Sequence, residues 1–409
     1  EQIGTEVELD VTNVAHGGVF VGRVEGRVVF VQGAVPGERV VARITDDSHD
    51  RFWRGDTVRV LEASPDRQPH VWPEADVSRD PADRVGGAEF GHIRPERQRA
   101  LKRQVLEENL SRMAGLDLEV PIEALPGSPD GTGWRTRVRL HVDEDGLVGQ
   151  YAPRSHRVIG VGDLPLATDE VRAVAPLGRT RPGGRGFDVV APSTGNPRVL
   201  EVGDRDAARQ QITERVGGRD FRLDAGGFWQ VHAAAAATLT EAVASGVDGQ
   251  QFDPAAANLD LYGGVGLLAA AVGDRFGPST RITTVESDER ATEHAEENLA
   301  DWVGAAAATA RVDRYLAQLL RESGRPERAR LQRATVVLDP PRSGAGKEVV
   351  RALGELRPAQ LVYVACDPVA LARDLGALQR EGYTVTEVRG FDLFPNTAHV
   401  EAVAVLSRP

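Results

Sequence analysis

A doubly wound α/β domain, preceded by a small β-barrel and an antiparallel β-rich middle region, is the architecture this sequence predicts. Three observations lead there. The first sixty or so residues carry five short strands separated by glycine and proline turns, strand patterning returns after an irregular connector, and from Leu223 onward apolar strands alternate with helices. A chain of 409 residues is too long for one ordinary core, and these changes of pattern divide it at 1–64, 65–222 and 223–409.

In the first region Glu6-Val-Glu-Leu-Asp-Val alternates, Ala15-His-Gly-Gly-Val-Phe-Val-Gly turns on glycine into a second strand, and Arg27-Val-Val-Phe-Val makes a third. Pro36-Gly-Glu-Arg-Val-Val-Ala-Arg-Ile supplies a turn and a fourth, and Asp56-Thr-Val-Arg-Val-Leu a fifth. Strands this short and this closely spaced imply closure into a barrel.

From Ser64 to about Gly91 the chain is rich in Pro, Asp and Gly and reads as a connector or irregular lobe. The segment from Pro95 to Met113 then sets Leu101, Val105, Leu106 and Leu110 on one helical face, and its basic start reads as a solvated or RNA-facing surface. Between Trp134 and Val202, Thr136-Arg-Val-Arg-Leu-His-Val alternates, Glu144-Asp-Gly turns, and Leu147-Val-Gly-Gln-Tyr leads out. An antiparallel sheet with arginines on one face suits a flat single-stranded ligand, or simply water.

Gly226-Gly-Phe-Trp-Gln-Val-His232 precedes an alanine-rich helix over 233–244. Strands follow at Leu259-Asp-Leu-Tyr, Ile282-Thr-Thr-Val-Glu, Thr335-Val-Val-Leu-Asp, Leu361-Val-Tyr-Val-Ala, Thr384-Val-Thr-Glu-Val and Glu401-Ala-Val-Ala-Val-Leu, with 307–312 a weaker candidate. Such alternation predicts a parallel sheet whose ligand sits at the carboxyl ends of the strands. Only a loop from Gly390 to His399 separates the last two strands, which predicts an antiparallel hairpin at one edge. That ending fits a class I methyltransferase better than a dinucleotide dehydrogenase.

Composition narrows the function classes. With 41% hydrophobic and 27% charged residues the chain reads as soluble and globular; no apolar run approaches bilayer thickness, and no basic-then-apolar leader opens it. A single cysteine excludes an intrachain disulfide and any thiolate-held zinc or iron–sulfur centre, so no metal is expected and a cytoplasmic location is. The formal charge of −12 disfavours a nucleic-acid partner on average, but the basic residues are almost all Arg, which leaves room for local phosphate-binding patches.

Four stretches carry candidate chemistry. Gly264-Val-Gly-Leu-Leu-Ala269 follows a strand and opens a helix, with Glu286 about twenty residues on to accept from ribose hydroxyls. The pattern serves NAD and S-adenosylmethionine equally. Asp260 either orients this loop or caps a helix. In Asp339-Pro-Pro-Arg342 a carboxylate at a strand end is held over the neighbouring pocket by two prolines. Cys366 comes at the next strand end, and Glu401 begins the last strand behind His399. A thiol and a carboxylate meeting over a methyl donor point to one reaction. Thiolate addition at carbon 6 of uracil makes carbon 5 nucleophilic, and a base must then remove the carbon-5 proton.

At Val28-Val-Phe-Val-Gln-Gly-Ala-Val-Pro-Gly-Glu-Arg-Val the first region resembles a TRAM domain, the oligonucleotide-binding-type barrel of RNA-modifying enzymes. Tyr363-Val-Ala-Cys-Asp-Pro-Val-Ala-Leu-Ala-Arg-Asp-Leu375 and Asp392-Leu-Phe-Pro-Asn-Thr-Ala-His-Val-Glu401 are similar to the nucleophile and base motifs of the RNA 5-methyluridine methyltransferase family. The resemblance implies an S-adenosylmethionine-dependent, class I (Rossmann-like) enzyme acting on a uridine of tRNA or rRNA through a covalent adduct, with Cys366 as nucleophile and Glu401 as proton acceptor. By the same resemblance Gln230, Tyr262, Glu286, Asp313 and Asp339 line the cofactor and uracil pocket, to which the glycine pattern adds Gly264 and Gly266. RNA is the implied partner, bound by a monomer.

Three departures from the family pattern stand out: Ala365 and Asp367 flank the cysteine where Ser and Asn are usual, Leu267 replaces a common asparagine, and Val85-Gly-Gly-Ala88 stands where many members carry the Cys-Gly-Gly-Cys of an iron–sulfur cluster. A carboxylate beside the thiol disfavours thiolate, and no cluster is expected in the lobe near 67–93. The competing readings are an RNA-binding protein without turnover, an N-methyltransferase and, last, a NAD oxidoreductase.

Overall fold

Alternating apolar positions close the first five strands into a barrel. The computed structural model describes residues 2–409. Strands β1 (Glu6–Ala15), β2 (Val19–Val24), β3 (Arg27–Gln32), β4 (Arg39–Asp46) and β5 (Phe52–Glu62) run in the order β1-β2-β3-β5-β4, and β4 pairs back onto β1. Leu9, Phe20, Val29, Val31, Val40, Ala42 and Ile44 fill the interior, and Phe90, Ile93 and Leu101 from the following segments join the same core. Glu38, fully buried, accepts from Arg67 Nε at 2.6 Å and from Arg67 Nη2 at 2.8 Å, which fastens the connector to the barrel.

Helix α1 (Pro95–Ala114) links the regions. Leu101 enters the barrel core, while Leu106 and Leu110 enter the core of the last region. Its basic start is not all surface: Lys102 is buried and its Nζ donates to Asp392 Oδ1 at 2.6 Å. A helix face read as solvated thus includes one residue turned inward.

The middle sheet runs β10 (Gly178–Arg179), β8 (Leu147–Tyr151), β7 (Arg137–Val142), β11 (Phe187–Val190), β12 (Arg198–Glu201), with β9 (Val158–Gly160) on β8. Short helices α2 (Asp169–Val174) and α3 (Arg205–Ala208) interrupt this part of the chain. Its arginines are already engaged: Arg139 forms a two-pronged pair with Asp188 at 2.7 Å, and Arg137 donates to the Gly227 carbonyl at 2.6 Å. Val85 and Ala88, the positions of the expected missing cluster, are buried in the apolar core of this region. A separate hairpin, β13 (Gln211–Val216) and β14 (Arg219–Asp224), precedes the α/β part.

That part comprises α4 (Ala235–Gly246), β15 (Asn258–Leu261), α5 (Leu267–Phe276), β16 (Ile282–Glu286), α6 (Glu289–Asn298), β17 (Ala305–Thr309), α7 (Val312–Glu322), α8 (Arg325–Gln332), β18 (Thr335–Leu338), α9 (Gly346–Leu356), β19 (Gln360–Ala365), α10 (Pro368–Arg380), β20 (Thr384–Asp392) and β21 (Glu401–Ser407). The sheet order is β17-β16-β15-β18-β19-β21-β20-β6, where β6 is Ile122–Ala124. The last two strands do pair antiparallel, but they are not an edge hairpin. β21 is inserted between β19 and β20, and β6, from the stretch read as connector and middle region, pairs parallel to β20 and covers it. A three-residue strand has too little pattern to be seen in sequence. Burial on both faces explains the apolar runs of β18 and β19, while β15, equally buried, alternates Asn258 and Asp260 with leucines.

Candidate active site

Strand register brings Cys366 and Glu401 together. β19 and β21 pair antiparallel with Ala365 opposite Ala402, so one residue further along Cys366 stands opposite Glu401. Side chains directly opposed in an antiparallel pair share a face, with Cβ atoms about 5 Å apart. β18 lies on the other side of β19 and delivers Asp339 to the same end of the sheet. All three residues line a cleft of about 1070 Å³ at the carboxyl ends of the parallel strands.

The electrostatics of this corner are lopsided. Burial pushes the Cys366 thiol up to about 12; Glu401, Asp339 and, more weakly, Asp367 push the same way, and Arg342 opposes them. Glu401 is raised well above the usual carboxylate range by burial and then by Asp339. Asp339 is pushed up to about 7 by burial and by Asp260. Asp260, also raised to about 7 by burial, accepts at Oδ2 from Thr284 Oγ1 at 3.0 Å and from the Ala269 N–H at 3.2 Å, while its Oδ1 is buried without a partner. Three carboxyls crowd one site with little positive charge to balance them. His399 adds none: burial drives it down to about 4, and its neutral Nε2 accepts from Arg342 Nη2 at 3.2 Å.

The glycine loop forms the other half of the cleft. Gly264 has φ +55 and open space where a Cβ would stand, so a ligand can approach the backbone there. Its N–H donates to Glu286 Oε2 at 3.1 Å, while Oε1 accepts from the Ser287 and Asp288 N–H groups at 2.7 and 3.0 Å. Tyr262 holds a left-handed φ of +60, uncommon outside glycine, and burial together with Asp313 and Asp374 raises its hydroxyl to about 12. Asp260 settles its two readings by doing both: it caps the first turn of α5 and, through Thr284, braces the loop.

Gln230, Tyr262, Gly264, Glu286, Asp313, Asp339, Cys366 and Glu401 all line the one cleft. Gly266 is not among the lining residues: at φ +93 it starts α5, and a Cβ there would meet Leu299 at 3.1 Å, so its smallness serves helix packing. Asp313 sits at the rim, ion-paired to Arg311 at 2.9 Å. An acidic, glycine-floored cleft with Glu286 beside the loop and unbalanced carboxyls at its inner end fits S-adenosylmethionine, whose sulfonium is a cation.

Sequence reasoning missed the supports. The loop between β20 and β21, which leads into Glu401, is pinned by α1: Lys102 Nζ donates to Asp392 Oδ1 and to the Phe394 carbonyl at 3.1 Å, and Gln98 Nε2 donates to Asn396 Oδ1 at 2.8 Å. Asp224, accepting from His294 Nε2 at 2.7 Å and Arg290 Nη2 at 2.9 Å, builds a further wall of the cleft. The buried polar positions Gln98 and Lys102, four apart on an apolar helix face, were the available signal.

The family described as tRNA (Uracil-5-)-methyltransferase matches residues 194–409, and the TRAM domain matches residues 1–58. An uncharacterized RNA methyltransferase of Streptomyces coelicolor is 39% identical across 99% of this chain and 93% of its own length, and one of Bifidobacterium longum is 35% identical across 100% and 98%. The crystal structure of Pyrococcus abyssi tRNA (uracil-54, C5)-methyltransferase in complex with S-adenosyl-L-homocysteine shares the fold, at a TM-score of 0.69 and 21% identity over 97% of this chain and 99% of that one. With a cleft of matching chemistry at the carboxyl ends of its sheet, the chain belongs to the TRAM-domain, S-adenosylmethionine-dependent RNA (uracil-C5) methyltransferase family.

Proposed function

We propose that Cys366 is the nucleophile and Glu401 the proton acceptor in methylation of carbon 5 of a uridine in structured tRNA or rRNA, carried out by a monomer. The observation that carries this reading is the cross-strand opposition of the chain's one thiol and a buried carboxyl without a cation, both on the cofactor cleft. Cys366 Sγ forms a bond to carbon 6, which moves the electron pair of the ring double bond toward carbon 5. Carbon 5 takes the electrophilic methyl group that S-adenosylmethionine would supply when bound, the sulfonium–methyl bond breaking to leave the neutral thioether S-adenosylhomocysteine. Glu401 then takes the carbon-5 proton, the double bond re-forms, and the C–S bond breaks to release Cys366.

The raised thiol assigns work to the surroundings. In the free protein Cys366 holds its proton, and Arg342 is the group that favours thiolate. Positive charge entering the cleft stabilises thiolate and carboxylate together, which ties reactivity to a filled site.

Residues 1–64 are assigned to RNA contact, residues 65–222 form a connector and central β-rich domain, and residues 223–409 are assigned to the chemistry, with α1 and β6 of the middle stretch serving as framework for the latter. Support for RNA contact comes from β3 and β5: Arg27 lies 4.6 Å over Trp53, His49 stacks on Phe52 at 4.3 Å, and Arg54 lies 5.5 Å from the same ring. Aromatic faces interleaved with arginines bind bases by stacking and phosphates by charge. Methyl transfer to RNA from cells lacking the gene, compared between wild type and Cys366→Ala, tests the reading. Wild type methylates carbon 5 and the variant does not; equal methylation by both would overturn it.

A further inference from the structure

Two contacts, one half-exposed and one buried, join the barrel to the active-site corner, and one turn makes both. The turn between β1 and β2 carries His16, Gly17 and Gly18. His16 Nε2 lies 2.9 Å from Asp367 Oδ2, across 351 residues of chain. Gly18 abuts the loop that carries the base so closely that a Cβ there would stand 2.8 Å from Ala398 Cβ. The same turn, with Cys366, Arg342 and His399, encloses a cavity of about 250 Å³ on the barrel side of the thiol.

Asp367 has two oxygens with separate duties. Oδ1 accepts from the Ala370 N–H at 2.8 Å and caps α10. Asparagine caps a helix as well as aspartate does, so the cap does not require a carboxylate. Oδ2 is what the carboxylate adds, and it is aimed at the barrel.

Resting on the reading of Cys366 as nucleophile, we propose that His16 is a positioning residue: it holds the Asp367 carboxylate away from Cys366 and offsets its charge, so that docking of the barrel sets the reactivity of the thiol. The other charged or titratable groups around the turn are Glu89, Lys102, Arg342 and His399. Lys102 is committed to Asp392, and Arg342 to His399. His16 is therefore the group that answers Asp367. Its bond to Asp367 raises the imidazole above its ordinary value, and the same bond helps hold the carboxylate below its own.

Because the chain has one cysteine, iodoacetamide alkylation of the full-length, RNA-free protein reads Cys366 alone. His16→Ala is expected to slow alkylation about 3- to 10-fold near pH 7, since half to one pKa unit changes the thiolate fraction by that factor, and the difference should shrink toward pH 9 as the imidazole loses its proton. His16 is half-exposed in a turn, so thermal unfolding should be little changed. Asp367→Asn keeps the cap and should abolish the effect, leaving the double variant alkylated as fast as Asp367→Asn alone. Equal rates in wild type and His16→Ala near pH 7, or an undiminished His16 effect in the Asp367→Asn background, would overturn the proposal. Methyl transfer that survives in Cys366→Ala would instead sink the nucleophile reading and leave the alkylation result standing.

Discussion

Asp392 and Glu401 are buried acids at the two ends of one loop, and only one of them has a cation. Asp392, closing β20, is paired with Lys102 at 2.6 Å, both side chains nearly inaccessible. Glu401, opening β21, faces Asp339 and a thiol, and its proton is held far more tightly than usual. Folding tolerates a buried charge when it is paired and hydrogen-bonded; an unpaired one shifts its pKa instead. The paired end anchors, and the unpaired end is poised to exchange a proton. One loop links the two, so the anchor's position becomes the base's position.

Substitutions at each end should separate these roles. The largest effect belongs to the thiol that faces the unpaired end: Cys366→Ala should lower methyl transfer by at least about 10³-fold in a single-turnover assay while leaving thermal unfolding near wild type. Glu401→Gln comes next, with turnover lowered about 10²- to 10⁴-fold and, because release needs the proton removed, a protein–RNA adduct that accumulates on natural substrate. Adduct would be read as a slow band on a denaturing gel; an inactive variant that forms none would assign Glu401 an earlier role.

The paired end should respond in stability. Lys102→Met leaves Asp392 buried without its cation and should cost about 3–5 kcal/mol in urea unfolding. A loss under about 1 kcal/mol would mean that the pair is solvated and that the contrast between the two ends is false.

The unpaired cluster also predicts a pH signature. Asp260 and Asp339 rise from an ordinary 3.8 to about 7 in the folded chain, so the folded state binds more protons than the unfolded one between those values. Stability should therefore fall as pH rises from about 4 to about 7 and flatten above it. Asp339→Asn should remove part of that slope and raise the melting temperature at pH 8 relative to wild type, an effect of a few degrees in calorimetry. An unchanged slope would show the acids to be better solvated than the cleft implies.

How far the sequence could be read depended on the range of the interaction. The barrel and the doubly wound order were legible because alternation along β1 to β5 and the apolar runs in β18 and β19 are local consequences of one-sided and two-sided burial. Cys366, Glu401 and Asp339 were legible as strand ends, where doubly wound sheets bind ligands. The insertion of β21 between β19 and β20 was not, nor was the cover that β6 provides, because pairing partners distant in sequence leave no mark on a three-residue strand. Lys102 was read with the basic surface of its helix, since only the tertiary fold brings Asp392 to it. Gly266 matched a cofactor pattern whose first glycine lines the cleft and whose second packs against Leu299. The worry raised by Asp367 beside the thiol had its answer in His16, in another region of the chain.

The most direct test is peptide mapping by mass spectrometry after incubating the protein with S-adenosylmethionine and 5-fluorouridine-substituted tRNA or rRNA. Fluorine at carbon 5 cannot leave as a proton, so the account predicts a stable nucleotide adduct on the peptide containing Cys366. Turnover of the unsubstituted RNA with no adduct on that peptide would contradict it.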